Sequence, residues 1–271
     1  MTLVVALKTF AGESEAVMVA SDSRASLGVV TYEVRKIFPI VGFRGSEEVP
    51  LAVMGGAGDA AVVKWAYGAV EAYLREGLKE WGDTPTSEQF REAVGRIEEI
   101  LVARFRKLRE VGIEPDVELV LAGVGPDGKA SIYKFDERGL AQPVHDSPGF
   151  AILGRGAITG GLLLLRLFGR WHEGSLVLDL DSAAVLTTFI IELVSEVDPS
   201  VSPFLGENYL MRVEGGRVAL GPLKEEAVRE YKERARRRRQ LLASIWALTD
   251  LLGEAEVDKA AKRLAKRISQ T

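Results

Sequence analysis

Thr2-Leu3-Val4-Val5-Ala6-Leu7 and Ala16-Val17-Met18-Val19-Ala20-Ser21-Asp22 are two apolar, β-branched runs on either side of a polar turn at Gly12. They read as a buried β-hairpin, because unbroken apolar runs bounded by turn residues fit strands covered on both faces. The return run continues into Ser23-Arg24-Ala25-Ser26, and Thr2 stands at the hairpin's open end. If Met1 is removed, Thr2 carries a free α-amine beside its own hydroxyl.

Composition narrows what such a hairpin serves. The 271 residues, 47% hydrophobic and 27% charged, have the make-up of an ordinary globular protein, and a net charge of −4 argues against general nucleic-acid binding. The sequence has no apolar run of membrane-spanning length and no charged-then-apolar leader, so it predicts a cytoplasmic protein with no membrane partner. The absence of cysteine excludes disulfides, thiolate catalysis and Cys-based zinc sites. Only two histidines, His145 and His172, leave little for a His-ligated metal or a His-dependent triad.

Outward from the hairpin, the runs 29–34, 36–41 and 51–54 read as further strand material. Asp59 is placed to cap a helix reaching about Arg75, and Thr86-Ser87-Glu88-Gln89 has the spacing of a capping box opening a second helix that ends near Val111. Strands return at 117–124, 131–135 and 150–153, expected as a meander, followed by helices over about 157–168 and from Asp181 or Ser182 to about Glu196, and a last hairpin over 207–220. Strands, helix pair, strands, helix pair, strands is the order of an α+β domain with helices outside two stacked antiparallel sheets. Beyond Gly221-Pro222 the composition becomes charged and helical, with Arg236-Arg237-Arg238-Arg239 and an apolar stripe from Leu241 to Leu251. The expected division is therefore a domain over 1–221 and a helical extension over 222–271. Gly123-Val124-Gly125-Pro126-Asp127-Gly128 spells a dinucleotide-binding pattern, but Pro126-Asp127-Gly128 makes a hairpin turn where that motif needs a helix.

A threonine hydroxyl is a poor nucleophile, yet an N-terminal threonine brings its own base, since its α-amine can take the hydroxyl proton directly or through water. The amine must be unprotonated, and a nearby ammonium favours that by like-charge repulsion. Asp22 and Lys36 are candidates for a carboxylate and an ammonium, both expected on strands neighbouring that of Thr2. Gly56, in the turn Gly55-Gly56-Ala57-Gly58-Asp59, is a candidate backbone N–H donor to an oxyanion.

Thr2, the run Ala20-Ser21-Asp22-Ser23-Arg24-Ala25-Ser26, Lys36-Ile37 and Met54-Gly55-Gly56-Ala57-Gly58-Asp59 together resemble proteasome β-type subunits, which are N-terminal-nucleophile hydrolases. The resemblance covers about residues 2–220, and Asp198-Pro199-Ser200-Val201-Ser202-Pro203 is most similar to the bacterial ancestral-β-subunit type. It implies a four-layer αββα sandwich and a threonine-type endopeptidase that needs no metal or organic cofactor. By that likeness Thr2 is nucleophile and base, Asp22 and Lys36 its charged pair, and Gly56 the oxyanion donor. Asp198 is a second carboxylate, with Ser202 or Ser200 as its hydroxyl partner. Ala25, Ser26, Val34, Phe38 and Met54 line an apolar substrate pocket. The implied partners are copies of the chain in a ring, a peptide or unfolded-protein substrate, and an ATP-driven unfoldase.

The sequence departs from that pattern at two places. Gly154-Arg155-Gly156 has an arginine where the family commonly has a serine, and a guanidinium cannot accept a proton. Val201 stands where a serine partner of Asp198 is expected. Two other readings share these residues. One is a non-catalytic ring scaffold that retains Met1, and the other is a transpeptidase or ligase that passes the acyl group from the same ester to an incoming amine.

Overall fold

A computed structural model of the chain describes residues 2–27, 30–203, 205–252 and 254–268, with backbone alone at 25–27, 30–33, 249–252, 254 and 264–268. The opening apolar runs form β1 (Val4–Ala11) and β2 (Ser14–Asp22), followed by the short pair β3 (Arg24–Leu27) and β4 (Val30–Glu33). Next come β5 (Ile37–Arg44), β6 (Glu47–Gly58), α1 (Ala60–Trp81) and α2 (Ser87–Glu110), then β7 (Val117–Val124), β8 (Ala130–Phe135), β9 (Ala141–Pro143) and β10 (Phe150–Leu153). A π-helical turn at Ala157–Gly161 leads into α3 (Leu162–Phe168), the small hairpin β11 (Trp171–His172) and β12 (Ser175–Leu176), and α4 (Leu180–Val197). The chain closes with β13 (Leu205–Glu214), β14 (Arg217–Pro222), α5 (Glu225–Leu252) and α6 (Glu254–Ile268).

The result is a mixed α+β protein built on two antiparallel five-stranded sheets, ordered β10-β1-β2-β13-β14 and β5-β6-β7-β8-β9. Strand alternation explains how they stack. Leu3, Val5 and Leu7 pack with Met18 and Ala20 against α3, α4 and α5, while Val4, Ala6, Val17 and Val19 pack against Ile37, Val53 and Val120 of the other sheet. Strands buried on both faces need apolar residues at every position, as the opening runs have. The second sheet covers its outer face with α1 and α2 through Met54, Leu119, Leu74 and Phe105.

Local signals set the helix ends. Asp59 accepts hydrogen bonds from the N–H groups of Ala61 and Val62, and the Thr86 capping box is complete, with the Gln89 side chain returning to the Thr86 N–H; such a cap contributes about 1 kcal/mol. Helix α1 runs two turns beyond the expected end at Arg75, because Leu74 and Leu78 continue its buried face until Gly82 adopts the left-handed conformation that stops it. Helix α4 is capped by Asp179, ahead of the two residues expected to open it.

Two expectations about pairing are corrected. Strand β10 is no part of a meander with β8: it crosses to the first sheet and pairs with β1, Val4 opposite Leu153. Its residues are buried on both faces, Phe150 and Ile152 toward the helices and Ala151 and Leu153 toward the second sheet, a pattern that fits a strand of either sheet. Strand β5, which follows Lys36, likewise belongs to the second sheet. Lys36 therefore approaches the Thr2 end from across the sheet interface and not from a neighbouring strand.

The composition change at Gly221-Pro222 precedes α5, whose first half joins the core: Tyr231 and Ala235 are buried against α4, Arg234 pairs with Asp181, and Arg239 with Glu196. Leu241, Ile245 and Trp246 further along the helix are exposed. No helix among the described residues is long and apolar enough to cross a membrane.

Candidate active site

Asp22 ends β2 and is fully buried, and its carboxylate is the hub of the site. One oxygen, Oδ1, accepts the Leu3 N–H at 2.8 Å and the Lys36 ammonium at 2.6 Å. The other, Oδ2, accepts the N–H groups of Arg24 and Ser202, each at 3.0 Å. Two carboxylate oxygens offer about four lone-pair directions, so every one is used. The peptide after Thr2 and the Lys36 ammonium thus meet on a single oxygen atom.

Lys36 lies just ahead of β5 with its side chain 3% exposed. Its ammonium also donates to the Arg24 carbonyl. Burial pulls the ammonium below its usual range, the Asp22 charge and hydrogen bond oppose that, and the Arg24 charge adds to the lowering. A charged ammonium close to an α-amine favours the amine's neutral form by like-charge repulsion.

Thr2 is 6% exposed. Its carbonyl accepts the Gly156 N–H at 3.2 Å, so the 154–156 turn closes over the hairpin's open end. Gly154 has φ +82°, and a Cβ there would lie 2.3 Å from the Thr2 carbonyl oxygen, so only glycine allows this approach. The Arg155 side chain, the main departure from the expected pattern, is exposed.

Gly56 sits beside Lys36 but not as an open donor. Its N–H is donated to the Lys36 carbonyl at 3.0 Å, which removes it from the oxyanion role expected of it. Its lack of a side chain has a packing cause: a Cβ would fall 2.5 Å from Val63 of α1.

Asp198, at the end of α4, forms a second buried cluster. Oδ1 accepts the Ser200 hydroxyl and the Ser200 N–H, and Oδ2 accepts the Thr159 hydroxyl at 3.0 Å. Burial pushes this carboxyl up, but the Ser200 and Thr159 hydrogen bonds and the Arg155 charge together outweigh it and hold it below the usual range. Ser200, not Ser202, is its hydroxyl partner. Ser202 belongs to the other cluster, with its N–H on Asp22 and its hydroxyl 3.3 Å from that of Ser23. Val201 is fully buried in the helix-side core.

Two of the residues expected to line a substrate pocket are packed against their neighbours. Met54 is buried in the core beneath α1 and α2, and Phe38 stacks on Tyr67 of α1 with ring centroids 4.6 Å apart. Both side chains are engaged in packing where an open pocket was expected. Val34 is half-buried ahead of Lys36. The side chains of Ala25 and Ser26, and Met1 as a whole, lie outside the described residues.

Three side chains around these clusters were not anticipated: Glu207, whose Oε2 accepts the N–H groups of both Lys36 and Ile37 at 3.1 Å; Glu118, which accepts the Gly154 N–H at 2.8 Å; and Thr159. Each acts on backbone or on a partner far away in sequence, so no local motif marks it.

No family model matches the sequence, and no curated protein matches it. Among solved structures, the Anbu (Gly-1) mutant from Hyphomicrobium sp. strain MC1 aligns over 90% of this chain and 99% of its own with a TM-score of 0.61 and 17% sequence identity. The chain shares the fold of that structure. That finding corrects the resemblance drawn from the motifs. Assignment to the proteasome β-type subunits does not stand, because no family model supports it and 17% identity shows the fold alone.

Proposed function

We propose that the chain is an N-terminal-threonine hydrolase of amide bonds with a four-layer αββα architecture. The observation that carries this reading is the Asp22 oxygen shared by the Leu3 N–H and the Lys36 ammonium, which ties a buried charged pair to the residue after Thr2. Three stacked cores, one between the sheets and one under each helix layer, support the architecture.

With Met1 removed, the Thr2 amine takes the proton from the Thr2 hydroxyl as Oγ1 attacks the substrate carbonyl carbon. The C–N bond breaks, the proton passes to the leaving amine, and the acyl group stays on Thr2 as an ester. Water, deprotonated by the same amine, cleaves the ester and restores the hydroxyl. The Lys36 ammonium keeps the amine free to act as base, Asp22 holds that ammonium charged and in place, and the Asp198 cluster stands beyond the 154–156 turn. Assembly of copies of the chain around an enclosed site, with a peptide or unfolded protein as substrate, accompanies this reading.

Two observations favour the non-catalytic scaffold as a second reading: Thr2 is almost fully buried, and the Gly56 N–H is already bonded to the Lys36 carbonyl. Intact mass before and after treatment with a threonine-directed epoxyketone or β-lactone separates the two. The hydrolase reading expects a chain beginning at Thr2 and one covalent adduct, absent in Thr2→Ala. A chain that begins at Thr2 and never acquires the adduct, or one that retains Met1, rules it out.

A further inference from the structure

We propose that Glu207 is the positioning residue for Lys36: a β-bulge in β13 turns its carboxylate across the sheet interface, where it grips the backbone on which the ammonium is mounted. The inference rests on the hydrolase reading of Thr2 and adds to it a residue that touches neither substrate nor the reacting atoms.

Residues 34–36 lie between β4 and β5 outside any strand, so the ladder does not fix the backbone of Lys36 on its N-terminal side. That backbone is held in two ways. The Lys36 carbonyl accepts the Gly56 N–H, and the Glu207 Oε2 accepts the N–H groups of Lys36 and Ile37, each at 3.1 Å. Both residues are buried, so without Glu207 two N–H groups lose their acceptor away from water. The remaining carboxylate oxygen meets the Arg35 guanidinium at 3.1 Å, and Arg35 in turn donates to the Tyr209 hydroxyl at 2.9 Å. The grip is therefore braced by the residue before Lys36 and by one two places along β13.

The bulge explains how a strand of the first sheet reaches the start of the second. Leu205 pairs with Asp22 and Glu207 with Ser21, so Gly206 is the extra residue. A Cβ at Gly206 would lie 2.8 Å from the Ser23 backbone, so the bulge needs glycine. Bulges re-aim the side chains beside them. Here the same short segment serves both members of the charged pair: the Ser202 N–H holds Asp22 from one side, and Glu207 holds Lys36 from the other. The charged groups facing the ammonium are Asp22 from β2 and Arg24 from β3; Glu207 works through the backbone.

The test is carried out on the full chain. The acylation rate of Thr2 by the epoxyketone, followed by intact mass between pH 6 and 9, is compared for wild type, Glu207→Ala and Glu207→Gln, alongside the 13Cε titration of Lys36. Misplacing a catalytic group by about 1 Å costs roughly a hundredfold, so Glu207→Ala is expected to slow acylation at pH 7 by about that factor. The deficit should narrow as pH rises, because an amine further from the ammonium still deprotonates at higher pH. The Lys36 titration should move up toward the ordinary lysine value as the side chain gains water. Glu207→Gln keeps an acceptor oxygen, carries the test should Glu207→Ala fail to fold, and should show a smaller loss with the same pH trend. Rates within about twofold of wild type, or a loss uniform in pH with the Lys36 titration unmoved, overturn the inference. If wild type itself is never acylated, the hydrolase reading fails instead, and the Lys36 titration alone decides whether Glu207 positions it.

Discussion

Asp22→Asn should be the most damaging near-isosteric change in the molecule, and more damaging than removing the charge it pairs with. The carboxylate receives four donors, two on each oxygen. An asparagine has one acceptor oxygen, and its NH2 group must face two donors whichever way the amide is turned. A hydrogen bond to a charged acceptor is worth about 1.5–3 kcal/mol, and leaving its donor buried without a partner costs a further share of that order. Losing two of them together with the counter-charge of Lys36 comes to at least about 4 kcal/mol, against a total stability of about 5–15 kcal/mol for a typical domain. Lys36→Met is different. It leaves the carboxylate with three backbone N–H partners and removes a desolvated ammonium, so its cost falls at or below the low end of the roughly 3–5 kcal/mol for breaking a buried pair. In the double variant the ammonium orphaned by Asp22→Asn is gone, so the double variant should cost little more than Asp22→Asn alone. Urea unfolding with a common slope gives all three values. Lys36→Met as costly as Asp22→Asn, or a double variant equal to the sum of the singles, would refute the reasoning.

Four further outcomes follow from the same geometry. Burial lowers the Lys36 pKa in the folded chain, so between that value and about 10.4 the unfolded chain binds more protons; the stability difference between wild type and Lys36→Met should therefore grow in favour of wild type as pH rises through that window, as read by unfolding at several pH values. Asp198 has the same sign in the acid range: its lowered pKa contributes stability that is present above about pH 4 and lost as pH falls through the folded value, so Asp198→Asn should destabilise at pH 7 and converge with wild type in acid. Gly56→Ala places a methyl 2.5 Å from Val63 and should cost about 1–3 kcal/mol, with part of the loss recovered when Val63→Ala is added. Gly154→Ala meets both a left-handed backbone and the Thr2 carbonyl and should cost at least about 1–3 kcal/mol in thermal unfolding, more than an alanine at Gly12, where a Cβ has open space.

Much of the fold is legible where the code is local. The hairpin 2–22, the cap at Asp59, the capping box at Thr86 and the turn at Pro126-Asp127-Gly128 depend on residues a few positions apart, and each element forms where those residues predict it. Which sheet a strand joins is another matter. Ala151 and Leu153 are apolar on one face and Phe150 and Ile152 on the other, so β10 carries no alternation to say that it pairs with β1 and not with β8.

The site divides along the same line. Thr2, Asp22 and Lys36 are picked out in the sequence because the proposed chemistry restricts residue type: a hydroxyl, a carboxylate and an ammonium. The structure joins Asp22 to Lys36 by a direct hydrogen bond and to the peptide after Thr2 by another. What holds them is backbone N–H, which every residue but proline possesses and which no sequence pattern distinguishes. Ser202 supports Asp22 from 180 positions away and Glu207 supports Lys36 from 171 positions away, and both belong to one short segment, Ser202 just ahead of β13 and Glu207 near its start. That segment also explains how Asp22 and Lys36 belong to different sheets and still meet at 2.6 Å. Two sheets that pack through apolar contacts alone can slide by small amounts at little cost, whereas a buried carboxylate with four donors loses several kcal/mol for any shift that breaks one set. The polar cluster at the open end therefore acts as the registration point between the sheets, and the positions that fix it are the ones whose substitution should move stability and chemistry together.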